Sequence, residues 1–399
     1  MFATINTDPK IQFPKTCQEL LSQHKMKDLD FFRVIEGLSS NTTERKNDWE
    51  SIYRGLVSDP HFGVDYFAAL NQERSTRTRS FASEYFTPSM LADHLAIQVV
   101  PMVAYLLEKN LTKHYRVIEP SCGTGAILMR FIRAFYLYRP DLLSRIEFIA
   151  NDISMTNIEA TKLNYQVLID KGLPLKPLVT HRDDALALLP LYQGTAIAVI
   201  GNPPFHDVNT SCHSPESYLP CHYSAPFKFA ADRGEIPFDS ISAKDTKKKN
   251  SLKAKVSLDV AITEMSVRLL APFGVSALIV PNGILSNSKD HDFRKLLITG
   301  STNQRQTRLL SVQAMPTLMF KHSGTGVQTS LLLITNSIKC DGVYMSQFDS
   351  CGWDSRLNPK KDNDFESNEI KSMYDNIVAN YKNCIRQYVA IQGNVLSMH

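Results

Sequence analysis

Apolar positions divide the chain into two kinds of segment. Short aliphatic runs closed by glycine, proline or an acidic residue occur at Tyr115–Ile118, Ile146–Ala150, around Val179-Thr180, at Ala196–Ile200 and at Val275–Val280. Runs of this kind predict strands buried on both faces. Between them the apolar residues recur three and four apart. Met90, Leu91, Leu95, Ile97 and Val100 form one set, Ile127, Leu128, Phe131, Ile132 and Phe135 a second. Ile158, Ala160, Leu163 and Leu168 form a third, Ala261, Met265 and Leu269 a fourth. That spacing predicts helices, and the first begins at a Thr87-Pro88 pair suited to an N-cap and a first helical turn. Strands alternating with helices predict an α/β, doubly wound sheet.

The flanks differ in pattern. Residues 1–80 read as an N-terminal helical region, with Leu20, Leu21, Phe31, Phe32, Ile35 and Leu38 at helical spacing. Further helical stretches are expected at Asp48–Leu56 and Phe62–Leu70, and Arg74, Arg77 and Arg79 read as a solvated basic linker. The α/β domain spans 81–340 and is interrupted by an insertion at 206–256. A tail at 341–399 carries Gly352-Trp353-Asp354 and a helix expected from Asn368 to about Ile391.

Composition narrows the class without choosing a function. The chain has 399 residues, 43% of them hydrophobic, enough for a sizeable core. A net charge of +4 is compatible with a nucleic-acid partner and far from demanding one. Seven cysteines without a framework of close spacings fit a reducing compartment. The longest apolar stretch, Leu95–Leu107, is broken by Gln98 and Pro101 and is too short to span a bilayer. With no signal pattern at the start, the expectation is a soluble cytoplasmic protein with no membrane partner.

The residues just past the strands carry the chemistry. After the first strand comes Glu119-Pro120-Ser121-Cys122-Gly123-Thr124-Gly125-Ala126, a glycine turn leading into a helix. Its glycines let a ligand approach the backbone. It is not Gly-x-Gly-x-x-Gly and lacks a P-loop lysine, which disfavours dinucleotide or ATP binding. Cys122 has no base nearby in sequence, so a catalytic thiolate is the weaker reading. The second strand ends at Asn151-Asp152, where a carboxylate reaches ribose hydroxyls in folds of this type. The third is followed by Asp183-Asp184. The fourth stops at Gly201 and opens into Asn202-Pro203-Pro204-Phe205, where two prolines hold the backbone extended. Asn202 offers an amide oxygen, Pro203 a carbonyl oxygen and Phe205 a π face. Two acceptors beside an aromatic plate suit a planar ring bearing an amine.

That tetrad resembles the signature of S-adenosylmethionine-dependent amino-methyltransferases. These include DNA adenine-N6 enzymes, some RNA base enzymes and the glutamine methyltransferases of release factors. Phe86-Thr87-Pro88 before a helix, the Glu-Pro-Ser-Cys-Gly-Thr-Gly loop and the order of the motifs resemble most the DNA adenine-N6 enzymes, the methylation subunits of restriction-modification systems. The resemblance covers about residues 84–355 and implies a mostly parallel, seven-stranded methyltransferase sheet with a short C-terminal helical tail. It implies S-adenosylmethionine as cofactor, held by Phe86, Thr87, Pro88, Glu119, Ser121, Cys122, Gly123, Gly125, Asp152 and Asp184. Of these, Glu119 takes the cationic amino-acid end, Asp152 the ribose and Asp184 the adenine amine, with Asp183 in reserve. Asn202, Pro203, Pro204 and Phe205 are the implied catalytic residues, and Phe320 is either a base-facing aromatic or a core residue.

The implied partner is DNA, with sequence choice made by the 206–256 insertion or by a separate specificity subunit. An RNA base methyltransferase, or a non-catalytic DNA-binding subunit keeping the fold, are the alternatives. No metal is expected. Cys212-His213 and Cys221-His222 match no common zinc spacing and read as a polar, substrate-facing loop. Lys244, Lys247, Lys248, Lys249, Lys253 and Lys255 read equally as a solvated loop or as phosphate contacts.

Overall fold

The computed structural model describes residues 87–170, 172–205, 258–291, 293–294, 297, 307–321, 325–336, 342–356 and 358–396. The N-terminal helical region, Phe86, the Cys-His pairs and the lysine run lie outside the described residues.

Ten strands are described, with the longer helices falling between them only as far as β5. In chain order they run α1 (Ser89–Lys109), β1 (Arg116–Glu119), α2 (Ala126–Tyr138), β2 (Glu147–Asn151), α3 (Met155–Asp170), β3 (Val179–His181) and β4 (Ala196–Gly201). Then come α4 (Leu258–Leu269), β5 (Leu270–Pro281), β6 (Thr307–Ala314), β7 (Thr329–Asn336), β8 (Tyr344–Gln347), β9 (Cys351–Trp353), β10 (Pro359–Asn363) and α5 (Asn368–Leu396). Eight strands form one sheet in the order β3-β2-β1-β4-β5-β7-β6-β8. The pairs from β3 through β5 are parallel, and β7 runs antiparallel to both of its neighbours. The seven expected strands therefore gain an eighth. β8 adds in parallel to β6 at the sheet edge; its alternating half-buried and exposed residues gave no continuous apolar run to find.

The central strands are apolar throughout because both faces are covered. Ala198 and Ile200 of β4 pack into the cluster holding residues of α1, α2, α3 and α5, whereas Ala196 and Val199 join residues of α4. In α1, Met90–Lys109 is long and apolar enough to pass for a membrane span, but 89% of its hydropathy window is buried inside the fold. It is a core helix. Thr87 does not cap it. Pro88 occupies the cap position in extended conformation, φ −58° and ψ 144°, and makes no side-chain capping bond, so Thr87 sits one residue further out.

Pro272-Phe273-Gly274, a sequence with the residues of a turn, lies inside β5 as an irregularity in its pairing with β4. Gly274 is required there, since a Cβ would lie 2.6 Å from the Ala196 carbonyl oxygen. Phe273 takes a left-handed φ of 67°, and its carbonyl accepts a hydrogen bond from Tyr381 of α5.

Candidate active site

In the strand order, β1 is flanked by β2 on one side and β4 on the other, so successive connections leave β1 in opposite directions. Ligands of open α/β sheets bind at the carboxyl ends of strands where the order reverses in this way. The glycine loop leaves β1 and the Asn202 turn leaves the adjacent, parallel β4, so both emerge at the same end of the sheet. Asp152 and Asp184 leave the adjoining β2 and β3 at the same edge.

The glycine loop is held by its backbone conformation and by hydrogen bonds from α3 and Asp152. Gly123 and Gly125 both adopt positive φ, 54° and 83°. A Cβ at Gly125 would lie 3.0 Å from Cγ2 of Thr161, so close approach and backbone conformation both demand glycine. One face of α3 carries Asn157, Thr161 and Asn164, spaced four and three apart and all buried. Thr161 Oγ1 donates to the Gly123 carbonyl at 3.0 Å and Asn164 Nδ2 to the Thr124 carbonyl at 2.9 Å. Asp152 accepts the Gly123 N–H on one oxygen at 2.9 Å, and on the other the Ser154 N–H and Asn157 Nδ2 at 2.8 and 3.1 Å. The apolar spacing that located α3 in the sequence concealed this polar face, because its partners lie some forty residues earlier.

Charge concentrates on two carboxylates. Glu119, 1% exposed, accepts the Leu128 N–H in the first turn of α2 at 3.1 Å. Burial pushes its carboxyl well above the ordinary range, the nearby Asp152 charge raises it further, and the Leu128 bond opposes both. The Cys122 thiol is likewise pushed well up, by burial and then by Asp152 and Glu119. That leaves it a neutral side chain rather than a thiolate. Among the described residues the groups that shift Glu119 include no cation, and a cationic ligand end is chemistry that fits beside it.

Beyond the end of β3, Asp184 accepts the Leu186 N–H at 2.8 Å and caps a short turn, Ala185–Ala187. Asp183, the reserve, is exposed and accepts the Asp184 N–H at 2.7 Å. Ile153 was missed in the sequence. It follows Asp152 directly and is 67% exposed, an apolar side chain next to the ribose candidate. Asn202 and Pro204 are half-buried and Pro203 is buried, while Phe205 packs in part against the main core cluster. Phe320 is 1% exposed within that cluster, which makes it a core residue. Among the described residues no group of His, Cys, Asp and Glu could hold a metal ion.

Residues 58–389 match the N-6 DNA Methylase family, well beyond the motif-bearing loops. The chain belongs to the N-6 DNA methylase family. The methylase domain of this family member also resembles solved structures. One is from Listeria monocytogenes, assigned as a class I S-adenosylmethionine-dependent methyltransferase, with 14% identity, TM-score 0.53, and coverage of 92% of this chain and 95% of that one. A second is the methyltransferase subunit of a type I restriction-modification system from Streptococcus thermophilus, with 16% identity, TM-score 0.51, and coverage of 91% and 73%. A third, DrdV bound to DNA, gives 12% identity and a TM-score of 0.52, and this methylase spans 37% of its length and 90% of its own. At such identities the likeness is one of fold. Comparison with curated proteins gave no match.

Proposed function

We propose that this methylase transfers a methyl group from S-adenosylmethionine to the exocyclic N6 of adenine in DNA. The observation that carries the reading is that the glycine loop and the Asn202 turn leave adjacent parallel strands at the reversal of strand order. It brings a cation-seeking pocket and an amine-seeking turn together.

When bound, S-adenosylmethionine supplies a methyl group on a positively charged sulfur. Glu119 would receive the ammonium end and be held ionised by it. Asp152 would hold the ribose hydroxyls, Asp184 the adenine amine, and Ile153 would lie against the face of that ring. Phe86, Thr87 and Pro88 are assigned to the methionine end, with Ser121, Cys122, Gly123 and Gly125 forming the floor. The target base leaves its stack, because an exocyclic nitrogen inside a duplex is out of reach. Phe205 stacks on it, while Asn202 and Pro203 accept its two amine hydrogens. Those bonds draw the nitrogen lone pair out of ring conjugation and aim it, so that catalysis is alignment and preorganised electrostatics. The bound donor would supply the methyl to the aligned nitrogen, which would give up one amine proton to solvent. Pro204 stiffens the turn that presents both acceptors.

Sequence choice is assigned to the 206–256 insertion or to a partner subunit. The Streptococcus thermophilus neighbour, itself one subunit of a multi-subunit system, supports the second option. Incubating the protein with labelled donor and, separately, DNA, rRNA and a release factor tests the acceptor. Label in DNA supports the proposal; label confined to rRNA or the release factor contradicts it.

A further inference from the structure

We infer that Asn151 is a positioning residue that fixes the spacing between the two ends of the donor pocket. This deepens, and rests on, the reading that the pocket holds S-adenosylmethionine. Asn151 ends β2 and is 1% exposed. Its Nδ2 donates to the Pro120 carbonyl at 2.9 Å and to the Asp183 carbonyl at 3.0 Å. Its Oδ1 accepts the Asp183 N–H at 3.2 Å, and its own carbonyl accepts the Cys122 N–H at 2.8 Å.

One side chain therefore bonds both to the glycine loop after β1 and to the acidic turn after β3. The first loop follows Glu119 at the end of β1 and carries Ser121 and the glycines; the second carries Asp184. β2 itself is already held by its ladders to β1 and β3, so these bonds add little to the strand and much to the relation between the loops. Both amide hydrogens are committed, so Asn151 acts through the loops rather than by touching the donor. Aspartate would keep the acceptor and lose both donations; alanine would lose all three side-chain bonds. A ligand spanning both loops gains from their fixed separation, because neither end must order its loop on binding. A ligand using only one end gains less.

The test compares wild type with Asn151→Asp and Asn151→Ala by calorimetry. S-adenosylhomocysteine spans both ends, whereas 5′-deoxy-5′-methylthioadenosine lacks the amino-acid end. The expected result is a loss of about tenfold or more for S-adenosylhomocysteine, at least about threefold larger than for the shorter ligand. In turnover, KM for the donor rises while kcat at saturating donor stays within about twofold of wild type, a split that general destabilisation does not produce. Equal losses for both ligands, unchanged affinities, or a fall in kcat at constant KM would overturn the inference. If Asn151→Ala does not fold, the isosteric Asn151→Asp decides alone, and failure of both to fold would make Asn151 a fold residue and overturn it. Wild-type protein that binds neither ligand overturns the donor reading itself and this inference with it.

Discussion

Without a cation beside it, the Glu119 carboxyl is drawn toward its neutral form by burial and by Asp152. A ligand ammonium reverses that balance, so binding should expel the Glu119 proton. The free protein must lose that proton to bind, so donor affinity should rise with pH through the raised Glu119 pKa and level off above it. Calorimetry in buffers of different ionisation heat would show proton release, and Glu119→Gln should abolish it while weakening binding by roughly tenfold or more. A second consequence concerns the face of α3. Thr161→Val keeps the shape but strands the Gly123 carbonyl, and Asn164→Ala strands that of Thr124. Each should weaken donor binding by about 1 kcal/mol or more, about fivefold, with the fold retained. What could be read in the sequence at this scale was chemistry written in consecutive residues: the glycine loop, Asp152 and the Asn202-Pro203-Pro204-Phe205 turn. Asn151, Thr161 and Asn164 were illegible because each acts on a carbonyl some thirty to forty positions away. Ile153 left no signal either, since a lone exposed isoleucine is ordinary.

Elements bring their own tests. α1, β6 and α5 meet at a buried polar cluster where His94 Nδ1 lies 2.6 Å from the Tyr374 hydroxyl and Nε2 lies 2.6 Å from Gln313 Oε1. Gln313 in turn donates to Gln98 and Ser311. Phe348 and Phe365 pack edge-on against the imidazole, and burial pushes its pKa down to about 4, opposed by the Gln313 bond. The unfolded chain takes up this proton near pH 6.5 and the folded one near 4. Full stability should therefore hold above pH 6.5 and decline between those values, by roughly 3 kcal/mol in all. Urea midpoints measured across that range should fall for wild type and fall less for His94→Gln. The cluster was unreadable from the sequence, where Met90, Leu91 and Leu95 marked only an apolar helix. β5 was legible from Val275 onward, but its continuation back to Leu270 was hidden by a Pro-Phe-Gly sequence that reads as a turn. Gly274→Ala should destabilise by about 1–3 kcal/mol, detectable as a lower urea midpoint, because the added methyl meets the Ala196 carbonyl.

For the molecule as a whole, function follows from strand order. The alternation of buried runs and amphipathic helices predicted a doubly wound sheet, and the eight strands realise it with the loop after β1 and the turn after β4 leaving adjacent parallel strands. The family match and the fold agree with that arrangement, and the donor, the acceptor and the aligned amine follow from it as one proposal. If the pocket binds and the turn aligns, the two activities must be separable by a single residue. The decisive measurement pairs donor affinity with N6-methyladenine formation in DNA for wild type and Asn202→Ala. The account predicts equal donor affinity and a fall of about a hundredfold or more in N6-methyladenine formation. Turnover within twofold of wild type would contradict it.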